Sequence, residues 1–388
     1  MSKHLFALIH TPYGTAANNR GENDGNITTL QKLLWKNEVH TTVSAEAIRW
    51  ALRYYWQQLD PTSVNRVWDN DTTDHKWTDP KWLGWNPDAT NGVIYDDDDV
   101  LGFMEALAAS KENDIAYAIP QRQRDLREDV SAAEEEGDAK KIEKAKKKLD
   151  EFQKSLSALE KKWEALSEIQ PSDDDAVKQK LASLERDVKK LRKNMGLKGV
   201  TLNRRGALEV TRAISLSPFE GDITFNAKSG EKTTTSLYGT EVHATRYQYG
   251  IALTPNSLRD KSRTLKVVDA VISLGEVGGN HSRYLFDFSP DSVVFRWTDD
   301  FAPRMLYGFE MSPKGDVSFG ALVQKVKDGD IDAKELFIGG AIVHSLDEET
   351  RKALAGATIS NGGSTGVKAA AEAVKNEIRK DLVLTEGK

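Results

Sequence analysis

Two stretches of heptad repeats in the middle of the chain constrain its fold more than any other feature. In the first stretch, apolar residues recur at intervals of three and four: Ile142, Ala145, Leu149, Phe152, Leu156, Leu159, Trp163 and Leu166. The same spacing returns after Pro171, in Val177, Leu181, Leu184, Val188, Leu191 and Met195. Such seams are typical of helices that pack side by side, so the pattern predicts an antiparallel coiled-coil helical hairpin over 122–198.

The sequence on both sides of this hairpin indicates an α+β fold. Residues 4–10 are a short apolar run that predicts a buried strand, and a helix is expected from Ser44, a good N-cap, through Tyr55. Between them, residues 18–26 are too polar for a core and predict a loop. Further strands are predicted at 222–224, 241–254, 264–274 and 292–297, and a last helix at 369–382.

The net charge of −6 does not exclude a nucleic-acid partner, because the acidic residues are concentrated in one segment. Residues 60–121 contain 13 acidic and 4 basic residues, a local charge of −9. Residues 122–197 are nearly balanced at +1, and the rest of the chain carries +2. We interpret 60–121 as a loop-rich acidic insert whose tryptophans form a small core of their own.

Composition excludes several classes of site and location. The chain has no cysteine, so disulfides, thiolate zinc sites and cysteine nucleophiles are excluded. No signal peptide and no apolar segment long enough to span a bilayer is found, so a cytoplasmic protein without a membrane partner is expected. No motif calls for a cofactor.

The candidates for catalysis or metal binding are few. The run Asp96 to Asp99 could hold Mg²⁺, but adjacent aspartates rarely converge on one ion, and a solvated acidic turn is the favoured interpretation. His243 and His281 lie among polar residues, yet no metal-binding spacing connects them to another histidine. A hydrogen-bonding or stacking role is favoured over acid–base catalysis for both.

Basic, aromatic and glycine residues provide candidates for phosphate and base contacts. Gly275–Arg283 combines glycines with Asn, Ser and Arg, which makes either a phosphate cradle or an ordinary hairpin turn. Arg204 and Arg205 precede a predicted helix, and Arg246, Tyr247, Gln248 and Tyr249 place one basic and two aromatic residues in a predicted strand. Arg49 and Arg53 share one helix face. Together these residues favour single-stranded RNA modestly.

Five separated blocks of the sequence, in matching order, resemble the DevR-type CRISPR-associated proteins, which are backbone subunits of type I-B Cascade. They are Ala16–Lys32, Val39–Arg49, Asn203–Leu208, Thr240–Tyr249 and Gly278–Arg283. The resemblance covers roughly 1–59 and 199–310. The hairpin over 122–197 is longer than the family pattern leads us to expect.

The resemblance implies a fold and a division into domains. It implies an RNA-recognition-motif-like (ferredoxin-like) palm formed by 1–59 and 199–388, with a finger region inserted at 60–121 and the helical arm at 122–198. It also implies a β-hairpin thumb at about 219–238, for which Gly230, Glu231 and Lys232 look like the turn.

The resemblance further implies a non-catalytic subunit that polymerises along guide RNA (crRNA) and presents it to target DNA, together with further copies of itself and other Cascade subunits. By position, the RNA-binding residues would be Asn18, Asn19, Arg20, Ser44, Arg49, Arg204, Arg205, His243, Arg246, Gly278, Gly279, Asn280, His281, Ser282 and Arg283. No catalytic residue, metal or cofactor is implied. Because its charges balance, the arm is expected to contact a neighbouring subunit or an accessory protein and not RNA.

Two alternatives remain open on the sequence. One is a metal-dependent or histidine-dependent ribonuclease on the same fold, which would need His243, His281 or Asp96–Asp99. The other is a coiled-coil scaffold protein, which accounts for only the middle fifth of the chain.

Overall fold

The structure is a computed structural model that describes residues 2–17, 19–86, 92–107, 110–170, 174–227, 237–278 and 285–384. The chain divides into two compact units, Met1–Gly102 with Arg205–Lys388, and Phe103–Arg204. Residues 60–102 thus belong to the first unit, and the second unit begins well before the predicted start of the arm at 122. Within the described residues, no helix is both long and apolar enough to cross a membrane.

The first unit contains most of the strands. They are β1 (His4–His10), β2 (Gly14–Ala16), β3 (Asn19–Asp24), β4 (Ile27–Leu30), β5 (Lys32–Trp35), β6 (Glu38–Val43), β7 (Arg66–Asp69), β8 (Asp74–Trp77), β11 (Leu208–Val210), β12 (Ala213–Ser215), β13 (Asp222–Ala227), β14 (Leu237–Thr245), β15 (Tyr247–Leu253), β16 (Ser292–Thr298), β17 (Glu310–Met311), β18 (Val317–Ser318) and β19 (Leu336–Gly340). Between β8 and β11 lie β9 (Gly102–Leu107) and β10 (Val200–Arg205), which pair with each other.

The helices are distributed over both units. The first unit has α1 (Ala45–Leu59), α2 (Asp96–Leu101), α7 (Arg263–Ile272), α8 (Gly320–Lys327), α9 (Glu348–Ala353) and α10 (Val367–Asp381). The second unit has α3 (Lys111–Asn113), a π-helical turn (Asp114–Ala118), α4 (Ile119–Glu136), α5 (Ala139–Ser167) and α6 (Asp175–Asn194). This mixture of sheets and helices confirms the α+β class.

An eight-stranded sheet forms the centre of the first unit. Its order is β19–β16–β1–β15–β12–β6–β5, with β11 also paired to β15, and β1 is antiparallel to both of its neighbours. Every residue of β1 is buried. Because side chains alternate along a strand, Leu5, Ala7 and Ile9 enter one core while Phe6 and Leu8 enter another.

Helices α1, α7 and α10 cover one face of this sheet. Helix α1 begins where predicted, because the Ser44 side chain accepts a hydrogen bond from the Ala47 N–H as an N-cap. Its Ile48 and Leu52 are fully buried against the sheet, and Val374 does the same for α10. The predicted last helix is therefore confirmed to within two residues.

Helix α7 corrects the predicted strand at 264–274. Valine, threonine and isoleucine favour strands, yet the buried residues Thr264, Val267, Val268 and Val271 recur with the helical period of 3.6. The polar residues between them, Lys266 and Asp269, form ion pairs on the outer side. A strand was predicted because the β-branched residues were given more weight than the helical period of the buried positions.

The C-terminal region covers the other face of the sheet. Phe6 and Leu8 pack there against Met305, Phe309 and Leu322, all at most 2 % exposed except Phe6 at 4 %. As a result, the strand at the centre of the sheet has no open face on either side.

The tryptophan-rich segment packs partly on itself, since the Trp77 and Trp82 ring centroids are 5.1 Å apart and Trp82 is 3 % exposed, and partly on α1. Trp68 lies edge-on against Trp50 of α1 with ring centroids 5.8 Å apart, and its backbone exchanges two hydrogen bonds with the Gln57 side chain. Trp50 also donates from Nε1 to His75 Nε2 at 3.1 Å. The β7–β8 hairpin is therefore an outer layer over α1.

In the second unit, α5 and α6 begin and end close to the two predicted seams, and α4 adds a helix that the sequence analysis did not predict. α5 packs against both α4 and α6. Leu126, Phe152, Leu159 and Trp163 form the buried core of this unit, whereas α6 contributes only partly buried side chains. A buried ion pair between Arg192 and Asp114 connects α6 to the π-helical turn, with Nη2 to Oδ1 at 2.7 Å.

Candidate nucleic-acid interface

A second sheet of the first unit brings together two of the sequence blocks that carry the resemblance, Ala16–Lys32 and Thr240–Tyr249. Its order is β13–β14–β4–β3, and β2 pairs with the far end of β14. The segment at 18–26, predicted to be a loop, is a strand from Asn19 to Asp24 that turns through Gly25, at φ 61°, into β4. A polar strand is stable here because its backbone is paired, while the side chains of Glu22, Asn23 and Asp24 are exposed.

One face of this sheet is apolar and exposed. In the β13–β14 register, Phe225 lies opposite Gly239 and Ala227 opposite Leu237, so these four residues share a face. Phe225 is 74 % exposed and Leu237 is 60 % exposed. A large aromatic ring that is held by a sheet but left in solvent is suited to stack on a base.

Gly239 lets the strands beneath this face approach each other. A Cβ atom there would lie 2.9 Å from Cγ1 of Ile27 and 3.2 Å from Cγ2 of Ile223. The two isoleucines therefore meet over the glycine and extend the apolar face from β13 across β14 to β4. The predicted thumb tip at 230–232 lies outside the described residues.

His243 is held inside the fold at the base of the β13–β14 hairpin. It is 7 % exposed, and its Nδ1 lies 2.7 Å from the Thr41 hydroxyl, which in turn lies 2.9 Å from the Tyr247 hydroxyl. Its Nε2 lies 3.1 Å from the Pro218 carbonyl oxygen. A carbonyl only accepts, so Nε2 carries the proton and Nδ1 accepts from Thr41.

Burial lowers the pKa of His243 to about 4, with the neighbouring His40 adding to the effect. The imidazole is thus neutral at physiological pH and is engaged at both nitrogens. Such a histidine is not available to contact a phosphate or to act as a general acid. Its role is to join β6, β14 and the segment that leads into β13.

Lys32 lies at the edge of the second sheet. Its Nζ lies 2.6 Å from Glu241 Oε2 and 4.6 Å from the centre of the Phe219 ring. The same carboxylate accepts from the Leu30 N–H at 2.7 Å. Most of the lysine's charge is therefore compensated within the sheet.

Three further residues predicted to bind RNA are engaged inside the fold. Ser44 is the buried cap of α1. Arg49 donates to the carbonyl oxygens of Leu208, at 2.9 Å, and Leu101. Arg246 donates to Asp291 Oδ2 at 2.9 Å. Arg53, on the same face of α1 as Arg49, donates to the Asp97 carboxylate at 3.1 Å.

The tyrosines expected to alternate with basic residues as stacking platforms are not accessible. Tyr247 and Tyr249 are 0 % exposed on β15, where they pack against Phe288 with centroid separations of 6.1 and 5.6 Å. The prediction that they contact bases is wrong, because β15 lies in the middle of the central sheet and is covered on both faces.

Arg204 and Arg205 lie at the end of β10 and not before a helix, because the strand β11 follows them. Arg205 is in the first unit, where its 88 % exposed side chain pairs with Glu209 at 3.0 Å. Arg204 belongs to the second unit and has a partner of its own. Of the arginines predicted from the sequence to bind RNA whose side chains are described, Arg205 is the most accessible.

The remaining predicted RNA-binding residues are described only in part. Asn18 and the loop Gly279–Arg283, with Asn280, His281 and Ser282, lie outside the described residues. Asn19 and Arg20 are described by their backbone in β3. Gly278 has a φ of 67°, which suits glycine at the start of a turn. After the loop, Phe286 returns to the sheet, where its ring would be 3.2 Å from a Cβ on Gly14.

The aspartate run is buried, which corrects the expected solvated turn. Asp96 to Asp99 form the first turn of α2 and are at most 5 % exposed. Arg263 donates to Asp96 at 2.6 Å and to Asp99 at 2.5 Å. Asp99 also accepts from the backbone N–H groups of Arg259 and Asp260.

The two central aspartates are likewise satisfied. Asp97 accepts from Arg53 and from the Asn65 N–H at 2.7 Å. Asp98 accepts from Trp82 Nε1 at 3.0 Å and from Asn65 Nδ2 at 2.9 Å. Burial, together with the charge of Asp97, raises the pKa of Asp98 to about 7. Since all four carboxyl groups are bound by protein donors, the run is a structural junction between α1, α2 and α7.

Sequence reasoning missed the exposed aromatic residues Phe225 and Tyr13, the second of which is 59 % exposed beside β2. For Phe225 the signal was present. The alternation in Asp222–Ala227 places its apolar residues on one side of a strand that has no partner sheet. No comparable pattern points to Tyr13.

Comparison with known proteins supplies one relative of high similarity. The CRISPR-associated protein Cas7/Cst2/DevR of Myxococcus xanthus (strain DK1622) is 39% identical over 389 residues, which cover 98% of this chain and 100% of that protein. No family model matches the chain.

Two solved structures show weaker similarity. A chain of a CRISPR RNA-guided surveillance complex is 11% identical, with a TM-score of 0.43 over 96% of this chain and 100% of its own. A chain of a pre-nicking CRISPR RNA-guided surveillance complex is 9% identical, with a TM-score of 0.37 over 84% and 88%. At these TM-scores neither carries an argument. The Myxococcus relative, in contrast, is matched along its whole length, and from that match we conclude that the chain belongs to the Cas7/Cst2/DevR family of CRISPR-associated proteins.

Proposed function

We propose that this protein is a non-catalytic, guide-RNA-binding backbone subunit of a type I-B Cascade complex. The observation that carries the proposal is the match to a Cas7/Cst2/DevR protein over 98% of the chain. A match of that extent includes the arm and the segments of both sheets, so the chain shares the relative's domain content.

The strand order supports an RNA-recognition-motif-like palm. In chain order, β1, α1, β12, β15, α7 and β16 form a βαββαβ sequence, and their order in the sheet is β16–β1–β15–β12. Both helices pack on the same face, since Ile48 and Val267 belong to one core. This is the arrangement of ferredoxin-like folds.

Because the palm is covered, the second sheet is the better candidate for the RNA-binding surface. Because the C-terminal region covers the palm face that carries Phe6 and Leu8, RNA would not lie across these strands. The β13–β14 hairpin would be the thumb, and the Phe225 ring on its exposed face would stack on a base of the guide. Backbone and polar groups of β3 would contact phosphates beside it.

The geometry of the remaining candidates supports a binding role over the ribonuclease alternative. The imidazole of His243 is occupied at both nitrogens, and every carboxyl group of Asp96 to Asp99 accepts hydrogen bonds from the protein. Within the residues the structure describes, no group of three histidine or acidic side chains is arranged to hold a metal ion. His281, which lies in the undescribed loop, is the residue through which that alternative can still be tested.

In this proposal the partners are crRNA, target DNA through the guide, other Cascade subunits and further copies of the chain in a helical filament in the cytoplasm. Each copy would hold one segment of the guide. The long α4–α5–α6 arm would replace or extend the finger region of the family.

The test is to purify the tagged chain with its native neighbours and to sequence the RNA that co-purifies. The proposal expects short RNAs that share a repeat-derived end, in a particle far larger than 43.2 kDa. The alternative of a ribonuclease is tested with the same particle, by comparing RNA ends between the native chain and His281→Ala. A monomer without nucleic acid, or RNA ends that change in the variant, would contradict the proposal.

A further inference from the structure

The balanced charge of the arm hides a strong separation of charge between its helices. Helix α6 carries seven basic and three acidic residues, whereas α4 carries three basic and six acidic residues. From the balanced charge over 122–197 alone, a protein partner is expected for the whole arm. The folded helices present distinct surfaces, so each has to be considered separately.

Four of the basic residues of α6 lie on the side of the helix opposite its packed seam. At 100° per residue, Arg186, Lys189, Lys190 and Lys193 occupy an arc of about 100°, opposite the arc of Leu184, Val188 and Leu191. All four are exposed. We call this set the α6 basic stripe.

The α6 basic stripe receives little charge compensation from within the chain. The Nε of Arg186 donates to the uncharged Ala182 carbonyl oxygen at 3.0 Å, and Arg186 and Lys190 share only a longer-range attraction to Asp187. In the part of the chain that the structure describes, Lys189, Lys190 and Lys193 form no ion pair. The acidic residue beside them, Asp187, is bound by Lys162 at 2.7 Å.

The composition of the stripe indicates which chemistry it recognises. Helix α6 contains no aromatic residue, so it offers no platform for stacking on unpaired bases. The apolar residue next to the stripe is Ala182. Its single methyl group is too small to form the apolar centre that a protein interface needs. Evenly spaced cations, with axial steps of about 4 to 6 Å between Arg186, Lys189 and Lys193, suit a line of phosphates.

We propose that the α6 basic stripe binds the phosphate backbone of double-stranded DNA without regard to sequence. The inference rests on the proposed function, in which a complex that carries a guide must approach a DNA duplex. A duplex keeps its bases stacked internally, so a surface without aromatic side chains can hold it through phosphates alone. This contact would be separate from the guide RNA, which the second sheet of the first unit would hold.

The experiment uses the assembled, guide-containing complex and a labelled DNA duplex that does not match the guide. Affinity is measured by fluorescence anisotropy between about 50 and 200 mM salt for the native complex and for a variant with Arg186→Gln, Lys189→Gln, Lys190→Gln and Lys193→Gln. Loss of four phosphate contacts should lower the slope of log affinity against log salt by about 3 to 4. Affinity at the lower salt should fall by about tenfold or more, with the co-purified guide RNA unchanged.

A matched control removes the same charge elsewhere, through Lys261→Gln, Lys314→Gln, Lys334→Gln and Lys368→Gln, all at exposed positions of the first unit. Its slope should change by less than one. Equal losses in both variants would overturn the inference, as would loss of a protein subunit from the stripe variant while DNA binding persists. Absence of guide RNA from the native complex would instead contradict the proposed function, so the two failures are distinguishable.

Discussion

Arg263 on α7 and Asp96 on α2 form a buried ion pair, with Nε and Oδ1 2.6 Å apart, although the two residues are 167 positions apart in the chain. The same guanidinium reaches Asp99 through Nη1 and the Ile94 carbonyl oxygen through Nη2. One arginine thus pairs with two aspartates and holds the start of α2 against α7.

Replacing Arg263 with methionine should destabilise the first unit strongly. The change keeps the volume of the side chain but leaves Asp96 with Lys266, and Asp99 with backbone N–H groups, as their remaining donors. Removing one partner of a buried ion pair costs about 3–5 kcal/mol. Urea denaturation monitored by tryptophan fluorescence would measure the loss. Arg304→Met is the control, since Arg304 pairs with Asp300 at a 40 % exposed position and its loss should change the stability far less. Equal effects of the two changes would contradict a structural role for the junction.

Gly206 should not tolerate even a methyl group. A Cβ atom there would lie 2.4 Å from the Leu101 carbonyl oxygen, and a backbone atom at the end of α2 cannot move aside cheaply. Gly206→Ala should therefore lower the free energy of unfolding by about 1–3 kcal/mol. Gly275→Ala, where no atom lies within 4 Å of the new methyl group, should be neutral or slightly stabilising. Thermal unfolding of the two variants side by side tests the prediction.

The stability of the first unit should depend on the protonation of His243. Its pKa is about 4 in the fold and 6.5 as the ordinary value, so between these values the unfolded chain binds more protons than the folded one. Stability from this residue is therefore fully present above pH 6.5 and decreases as the pH falls toward 4. At pH 5 the loss should be about 2 kcal/mol.

The measurement is urea denaturation at pH 7.5 and pH 5 for the native chain and for His243→Gln, which cannot take up the proton. Other groups contribute as well, since His10 also has its pKa lowered to about 4 and Asp98 has its pKa raised to about 7. Because those contributions are common to both proteins, the difference between them isolates His243. An identical change of stability with pH in the two proteins would show that His243 takes up its proton as readily in the folded chain as in the unfolded chain.

Local patterns in the sequence were sufficient to predict the elements whose signals lie within a few residues. The seam from Ile142 to Leu166 predicted α5, and Ser44 marked the start of α1, because periodicity and capping are properties of neighbouring residues. The seam also led us to expect two long helices, whereas the described part of the second unit has three, α4, α5 and α6. Helix α4 contributes only Ile119, Leu126 and Ala133 as buried residues, a weaker pattern.

Features that depend on distant partners could not be predicted in this way. Asp96 to Asp99 look like a solvated turn unless Arg263 is known to meet them, and Arg49 looks free unless the Leu208 carbonyl oxygen is placed beside it. The sequence blocks that resemble the family therefore could not show which of their side chains are exposed, because exposure depends on tertiary contacts.

The most direct test of the candidate RNA surface is Phe225→Ala. If the exposed ring stacks on a guide base, its loss should weaken RNA retention by about 1–3 kcal/mol per copy, seen as less RNA per particle and a lower salt concentration for release. Phe301→Ala is the matched control, because Phe301 is 79 % exposed in the same unit and packs edge-on against His4 at 5.1 Å. Both variants remove one exposed phenyl ring. If RNA is lost only from Phe225→Ala, the effect is due to the position of this ring on the sheet. Equal RNA retention in both variants would show that the Phe225 ring does not hold the guide.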